Sequence, residues 1–159
     1  MKKILSSGLV LAGMLSSPIA VTKADVPDPA TQYRNDPRLA SLNKFFQQSD
    51  CPAQHFSAEF LHVADQNNLD WRLLPSISIV ESGGGREARN NNLFGWDGGK
   101  AAFVSVRAGI HNVAGRLGNS KLYRDKDVDQ ILRTYNPNEA YSGMVKSVMR
   151  RISPTAEMN

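Results

Sequence analysis

Apolar residues recur at three- and four-residue steps through most of this chain, and the recurrence stops over one long polar stretch. Leu39, Leu42, Phe45 and Phe46 open the pattern, and Phe60, Leu61 and Ala64 continue it behind Ser57, a good helix cap. Val106, Ile110, Val113, Ala114 and Leu117 follow Ser105, and Val128, Ile131 and Leu132 follow Asp125 or Asp127. Tyr141, Met144, Val145, Val148 and Ile152 give the last stripe, with Asn136 as its expected cap, Pro137 at its first position and Glu139 at its third. Arg150 and Arg151 sit in its last turn, where cations suit the helix dipole. Asp70 is expected to cap a central helix running from Trp71 to about Glu81. Pro75 lies near that helix's start, where its missing N–H is tolerated, and Gly83-Gly84-Gly85 stops it. Residues 86–104 hold three asparagines, Gly95, Gly98 and Gly99, and read as loop, with a short β-hairpin expected through Ala101–Val104. The expected fold class is mainly α: a small domain with an Asn/Gly-rich loop or short β-hairpin beside the Glu81 helix.

The N-terminus carries a different signature. Lys2 and Lys3 precede an uncharged, mostly apolar or small stretch from Ile4 to Ile19, and Thr22 and Ala24 are small enough for cleavage. Residues 1–24 therefore read as an export signal, which places the product in a periplasmic or extracellular compartment. Ser6, Ser7, Ser16, Ser17 and Pro18 shorten the apolar run below the roughly 20 residues of a bilayer span, so no stable membrane anchor is expected after cleavage. Met14 stands where a lipoprotein would need cysteine. Residues 25–36, with Pro27 and Pro29, read as a flexible leader, and residues 37–155 as one folded domain.

Removing the signal alters the charge. The whole chain has 19 basic and 15 acidic residues; without Lys2, Lys3 and Lys23 the balance is 16 to 15, a net of +1. Nucleic acid is not an expected partner. The single cysteine, Cys51, allows no internal disulfide, so packing must hold the domain together. Cys51 precedes Pro52 in a turn-like stretch, which does not mark a nucleophile. His55, His62 and His111 are scattered without metal-site spacing, so neither metal nor cofactor is expected.

The informative residue is Glu81. Leu74 and Ile77 lie seven and four positions before it, so the three share one helix face. A carboxyl on the core-facing stripe, in a last turn lined by backbone carbonyls, resists ionisation. A carboxylic acid kept protonated can donate to a leaving oxygen, the requirement for the general acid in glycoside hydrolysis. A helix-end glutamate can also turn to water or pair with Arg86 or Arg89.

Three segments bear on that choice. Ile77-Ser78-Ile79-Val80-Glu81-Ser82-Gly83-Gly84-Gly85 resembles the catalytic stretch of lysozyme-like bacterial wall enzymes, in which a core helix ends in Glu-Ser before glycine. Asn91-Asn92-Leu93-Phe94-Gly95-Trp96 resembles the Asn-Leu-Phe-Gly segment of their glucosaminidase branch (N-acetylglucosaminidase-like autolysins). Tyr135-Asn136-Pro137, with Tyr141 and Val145, is similar to the C-terminal tyrosine helix of that group. Together they span about residues 57–152.

The resemblance implies a lysozyme-like domain whose groove runs between the Glu81 helix and the asparagine-rich loop. It implies peptidoglycan glycan strands as substrate and cleavage of the β-1,4 bond after N-acetylglucosamine, with Glu81 as acid. Catalytic candidates are Glu81, Tyr135, whose hydroxyl would hold an acetamido group or a water, and Asp97 as second carboxylate. Asn92, Phe94, Trp96 and Tyr141 are the substrate-binding candidates, although Phe94 and Tyr141 read more readily as core packing. Because the substrate's own acetamido oxygen can replace a second acid, Asp97 is not indispensable. Two other readings stay open: a lytic transglycosylase cutting after N-acetylmuramic acid, and a non-catalytic wall-binding module. No Gly-Leu-Met-Gln-like segment follows Glu81, which speaks against the first.

Overall fold

A computed structural model describes residues 28–154; the expected export signal lies outside them. Seven α-helices make up most of this stretch: α1 Pro29–Gln32, α2 Pro37–Ser49, α3 Ser57–Gln66, α4 Leu73–Ser82, α5 Val106–Asn119, α6 Val128–Tyr135 and α7 Glu139–Ile152. A 3₁₀ turn, Pro52–Phe56, joins α2 to α3. None of these helices is long and apolar enough to cross a membrane.

The arrangement centres on α4. Leu73, Leu74, Pro75, Ser76, Ile77 and Ser78 are all buried, so this helix is covered on nearly every side. It packs along α7 and touches α3. Full burial of Leu73, Leu74 and Ile77 stabilises by roughly 1.5–3 kcal/mol each. Around α4, α3 packs on α5 and α2, and α6 on α7. Glu59, buried on α3, accepts from Arg107 of α5 at 2.8 Å and meets His111. Although far apart in sequence, His62 and His111 lie edge to face with ring centroids 6.1 Å apart.

The start of α4 is pinned by an ion pair in the interior. Arg72 is 2 % exposed; it meets Asp70 at 2.6 Å and donates to the Ser153 carbonyl at 3.1 Å. One buried guanidinium thus ties the entrance of α4 to the end of α7. Asp70 also accepts from the Arg72 N–H at 2.9 Å and so opens the turn before the helix; α4 starts at Leu73, with Arg72 and not Asp70 at the cap position.

Several starts differ from the pattern. Ser57 does not cap α3. Its hydroxyl donates to the Gln54 carbonyl at 3.0 Å, because the 3₁₀ turn runs straight into the helix and leaves no open first turn. Asn138, not Asn136, caps α7 through the Ala140 N–H at 3.0 Å, while Asn136 accepts from the Asn138 N–H. Ser105 caps α5 as expected, and Asp127 caps α6 in a reciprocal box with Gln130.

Residues 28–36 are docked, not a flexible leader. α1 packs on α3, and Tyr33 is buried with its hydroxyl donating to Asp65 at 2.8 Å. Burial and that contact push the Tyr33 phenol up to about 12. Arg38 bridges Asp36 and Asp65 at 2.8 and 2.7 Å and holds both carboxyls below the usual range.

The expected hairpin through Ala101–Val104 is absent; the described residues contain no strand, only an isolated bridge between Arg89 and Asn92. Asparagine side chains take the place of a partner strand. Asn91 donates to the Phe103 carbonyl at 2.8 Å and Asn92 to the Ala101 carbonyl at 3.2 Å.

Arg72→Ala strands the Asp70 carboxylate in the interior. Urea unfolding should show a loss of about 3 kcal/mol, the scale for breaking a buried pair. A loss well under 1 kcal/mol would show that the pair is not what pins α4.

Candidate active site

Glu81 enters the site because α4 ends beside it. Gly83 takes the left-handed conformation at φ +60° and closes the helix, its N–H donating to the Ile79 carbonyl and that of Gly84 to Ser78. The chain then turns back so that the Ser82 hydroxyl, buried, donates to the Leu93 carbonyl at 2.7 Å and accepts from the Gly85 N–H at 3.0 Å. That clasp draws the Leu93–Gly95 segment against the helix end. At Gly95 the approach is so close that a Cβ would stand 2.5 Å from the Glu81 Oε2 atom. A side chain there would push the carboxyl aside, and at φ +59° it would also be strained.

Glu81 itself is half-buried. It forms no ion pair among the described residues. Arg86, one possible partner, is drawn away to the Ser49 and Asp50 carbonyls at 3.0 and 3.3 Å. Burial therefore pushes the Glu81 carboxyl above its ordinary range, and the neighbouring Tyr141 hydroxyl pulls back only part of the way. Tyr141 is 4 % exposed, and its buried hydroxyl has no aligned hydrogen-bond partner. Its phenol is pushed up by burial and by Glu81.

A cleft of about 470 Å³ opens on the far side of Gly95, within the range of ligand sites. Gly95, Trp96, Asp97, Arg116, Tyr123 and Tyr135 are among its lining residues. The Trp96 ring meets Tyr135 edge-on at 5.6 Å and Tyr123 at 6.2 Å, and the Arg116 guanidinium lies over it at 5.7 Å. Tyr135 stacks on Tyr141 at 6.0 Å with the rings 7° from parallel. An aromatic line thus runs from the cleft to the carboxyl.

The candidates from the sequence separate into three groups. Trp96 and Asp97 line the cleft, Asp97 exposed in a left-handed turn at φ +56°, whereas Glu81 is not a lining residue and lies behind Gly95. Tyr135 lines the cleft with its ring, but its one hydroxyl hydrogen goes to the Phe94 carbonyl, not to an open site for acetamido or water. Burial and the Glu81 charge push its phenol far up, so it stays neutral. Asn92, Phe94 and Tyr141 are interior, in line with core packing for Phe94 and Tyr141 and contrary to the expected substrate contact of Asn92. Asn92 is 4 % exposed; its amide donates to the Trp96 and Ala101 carbonyls and its oxygen accepts from the Trp96 N–H, which locks the loop. Phe94 is fully buried against Phe60. Tyr141 lies behind the carboxyl.

Arg116 and Tyr123 went unread in the sequence. They come from α5 and the turn after it, and no local spacing links either to Glu81. Cys51 is buried against Gly84, and burial pushes its thiol up, which disfavours a nucleophile. No group of three or more metal-ligating side chains is found among the described residues. No protein-family model, curated protein or solved structure matches the chain.

The raised carboxyl carries a consequence for stability. Below the unfolded-state pKa of about 4.3, Glu81 is protonated in both states and adds no pH dependence. Between that value and its higher folded-state pKa only the folded protein holds the proton, so this group makes stability fall as pH rises. Urea unfolding across this window should show wild type losing stability relative to Glu81→Gln. Parallel pH dependence in the two proteins would mean that Glu81 is not desolvated.

Proposed function

We propose that this chain is an exported, lysozyme-like peptidoglycan hydrolase of the glucosaminidase kind, cleaving the β-1,4 bond after N-acetylglucosamine with Glu81 as general acid. The observation that carries the reading is Glu81 itself: a carboxyl half out of water, unpaired, raised by burial, and against the wall of an aromatic-lined cleft. Such a group holds its proton to a higher pH than a free glutamate does and can release it to a leaving oxygen. Trp96 offers a flat face to a pyranose, and backbone and amide groups of the loop suit its hydroxyls. Tyr141 and Gly95 fix where the carboxyl sits.

After protonation of the glycosidic oxygen, the C–O bond breaks and positive charge develops at the sugar's anomeric carbon. Two groups can meet that charge: the Asp97 carboxylate at the cleft mouth, acting directly or through a water, or the substrate's acetamido oxygen. In either route water adds the hydroxyl that completes hydrolysis. Glu81 is the sole carboxylate in the inner part of this arrangement among the described residues, which favours assistance by the acetamido group. The same feature fits a lytic transglycosylase, in which a sugar hydroxyl attacks in place of water.

Purified sacculi should be cleared by the mature domain and at least about 100-fold more slowly by Glu81→Gln, the scale of an acid–base contribution. Activity should fall along a basic limb well above the ~4.3 of free glutamate, because the acid must be protonated to act. Equal clearing by the variant would leave a wall-binding module, or chemistry elsewhere. Mass spectrometry of the fragments should show reducing N-acetylglucosamine ends; 1,6-anhydro ends would replace hydrolysis with transglycosylation.

A further inference from the structure

The cleft holds a cation that the proposed chemistry leaves unused. Arg116 projects from α5 with its guanidinium 5.7 Å from the centre of the Trp96 ring. Its Nε donates to the Asn112 side-chain oxygen one turn back, at 2.9 Å. The Trp96 ring and this hydrogen bond bias the position of an otherwise exposed guanidinium. The two terminal nitrogens have no protein acceptor among the described residues, and no carboxylate pairs with them. Asp97 lines the same cleft yet makes no ion pair with it. An oriented planar fork with its outer N–H groups unspent matches a carboxylate, which it can bind through two parallel hydrogen bonds.

We propose that Arg116 is a substrate-binding residue that recognises a carboxylate on the glycan strand, so that the cleft prefers acidic strands to neutral ones of the same sugar backbone. This rests on the glycan-cleaving reading above. In peptidoglycan such a carboxylate comes from the stem peptide or, where the peptide has been removed, from the lactyl group of the muramic residue. Neutral chitin oligosaccharides have neither.

The test is equilibrium binding in the Glu81→Gln background, where the bond stays intact. Three soluble ligands are compared: peptide-bearing strands, strands stripped of peptide, and a chitin oligosaccharide of equal length. Arg116→Met keeps an apolar stem over Trp96 and removes the charge; Arg116→Lys keeps the charge and loses the fork. The ratio of acidic-strand to chitin affinity should fall about tenfold in Arg116→Met, the scale of a charge-assisted hydrogen bond, and less in Arg116→Lys. A fall confined to peptide-bearing strands assigns the stem carboxylate, and a fall on stripped strands the lactyl one. An unchanged ratio, with glycans still bound, overturns the role of Arg116 and leaves the hydrolase reading standing. Failure of the parent to bind any of the three overturns both.

Discussion

Everything at this site depends on a carboxyl being held partly out of water at the end of a buried helix. α4 is a poor place to put an ionisable group, since nearly all of it lies in the core. The cost is carried by the packing of α4 along α7 and by the Arg72–Asp70 pair that fixes its start to the Ser153 carbonyl. Glu81 stands at the end of this anchored helix, between Gly95 and Tyr141.

The loop beyond is as tightly specified as the helix, though it has no regular structure. Ser82 clasps Leu93, Asn92 bonds both ends of the turn at Trp96 and Ala101, Asn91 holds Phe103, and Tyr135 reaches back to Phe94. Each bond satisfies a backbone group that a strand would otherwise have paired. The outcome is a cleft wall set before any ligand arrives, and preformed groups need not reorganise as charge develops. Phe94 matters in the same way: buried against Phe60, it anchors the segment that brings Gly95 to the carboxyl.

How much of this was legible in the sequence follows the range of the interactions. The helices were readable from the 3.6-residue recurrence, and Glu81 from its register with Leu74 and Ile77, since both are local properties. Caps decided by a few neighbouring residues were readable at Ser105 and narrowed to Asp125 or Asp127 before α6, but not at Asn138, where two asparagines competed and Asn136 became the support of the other. Asn92 was expected to face a substrate and is buried, because whether a side chain faces groove or core depends on partners such as Trp96 and Ala101. The docking of residues 28–36 depends on Asp65, 32 residues beyond Tyr33. Arg116 and Tyr123 reach the cleft only through the packing of α5, and nothing near them in sequence marks it.

In the proposed reading the proton on Glu81 joins the fold to the chemistry, and its titration can be observed directly. The domain, labelled with carbon-13 at glutamate side chains and assigned by comparison with Glu81→Gln, would be titrated by NMR. The Glu81 carboxyl carbon should titrate with a midpoint clearly above the ~4.3 of free glutamate. A midpoint at or below that value would mean a carboxylate ionised at neutral pH, and would contradict Glu81 as the proton donor.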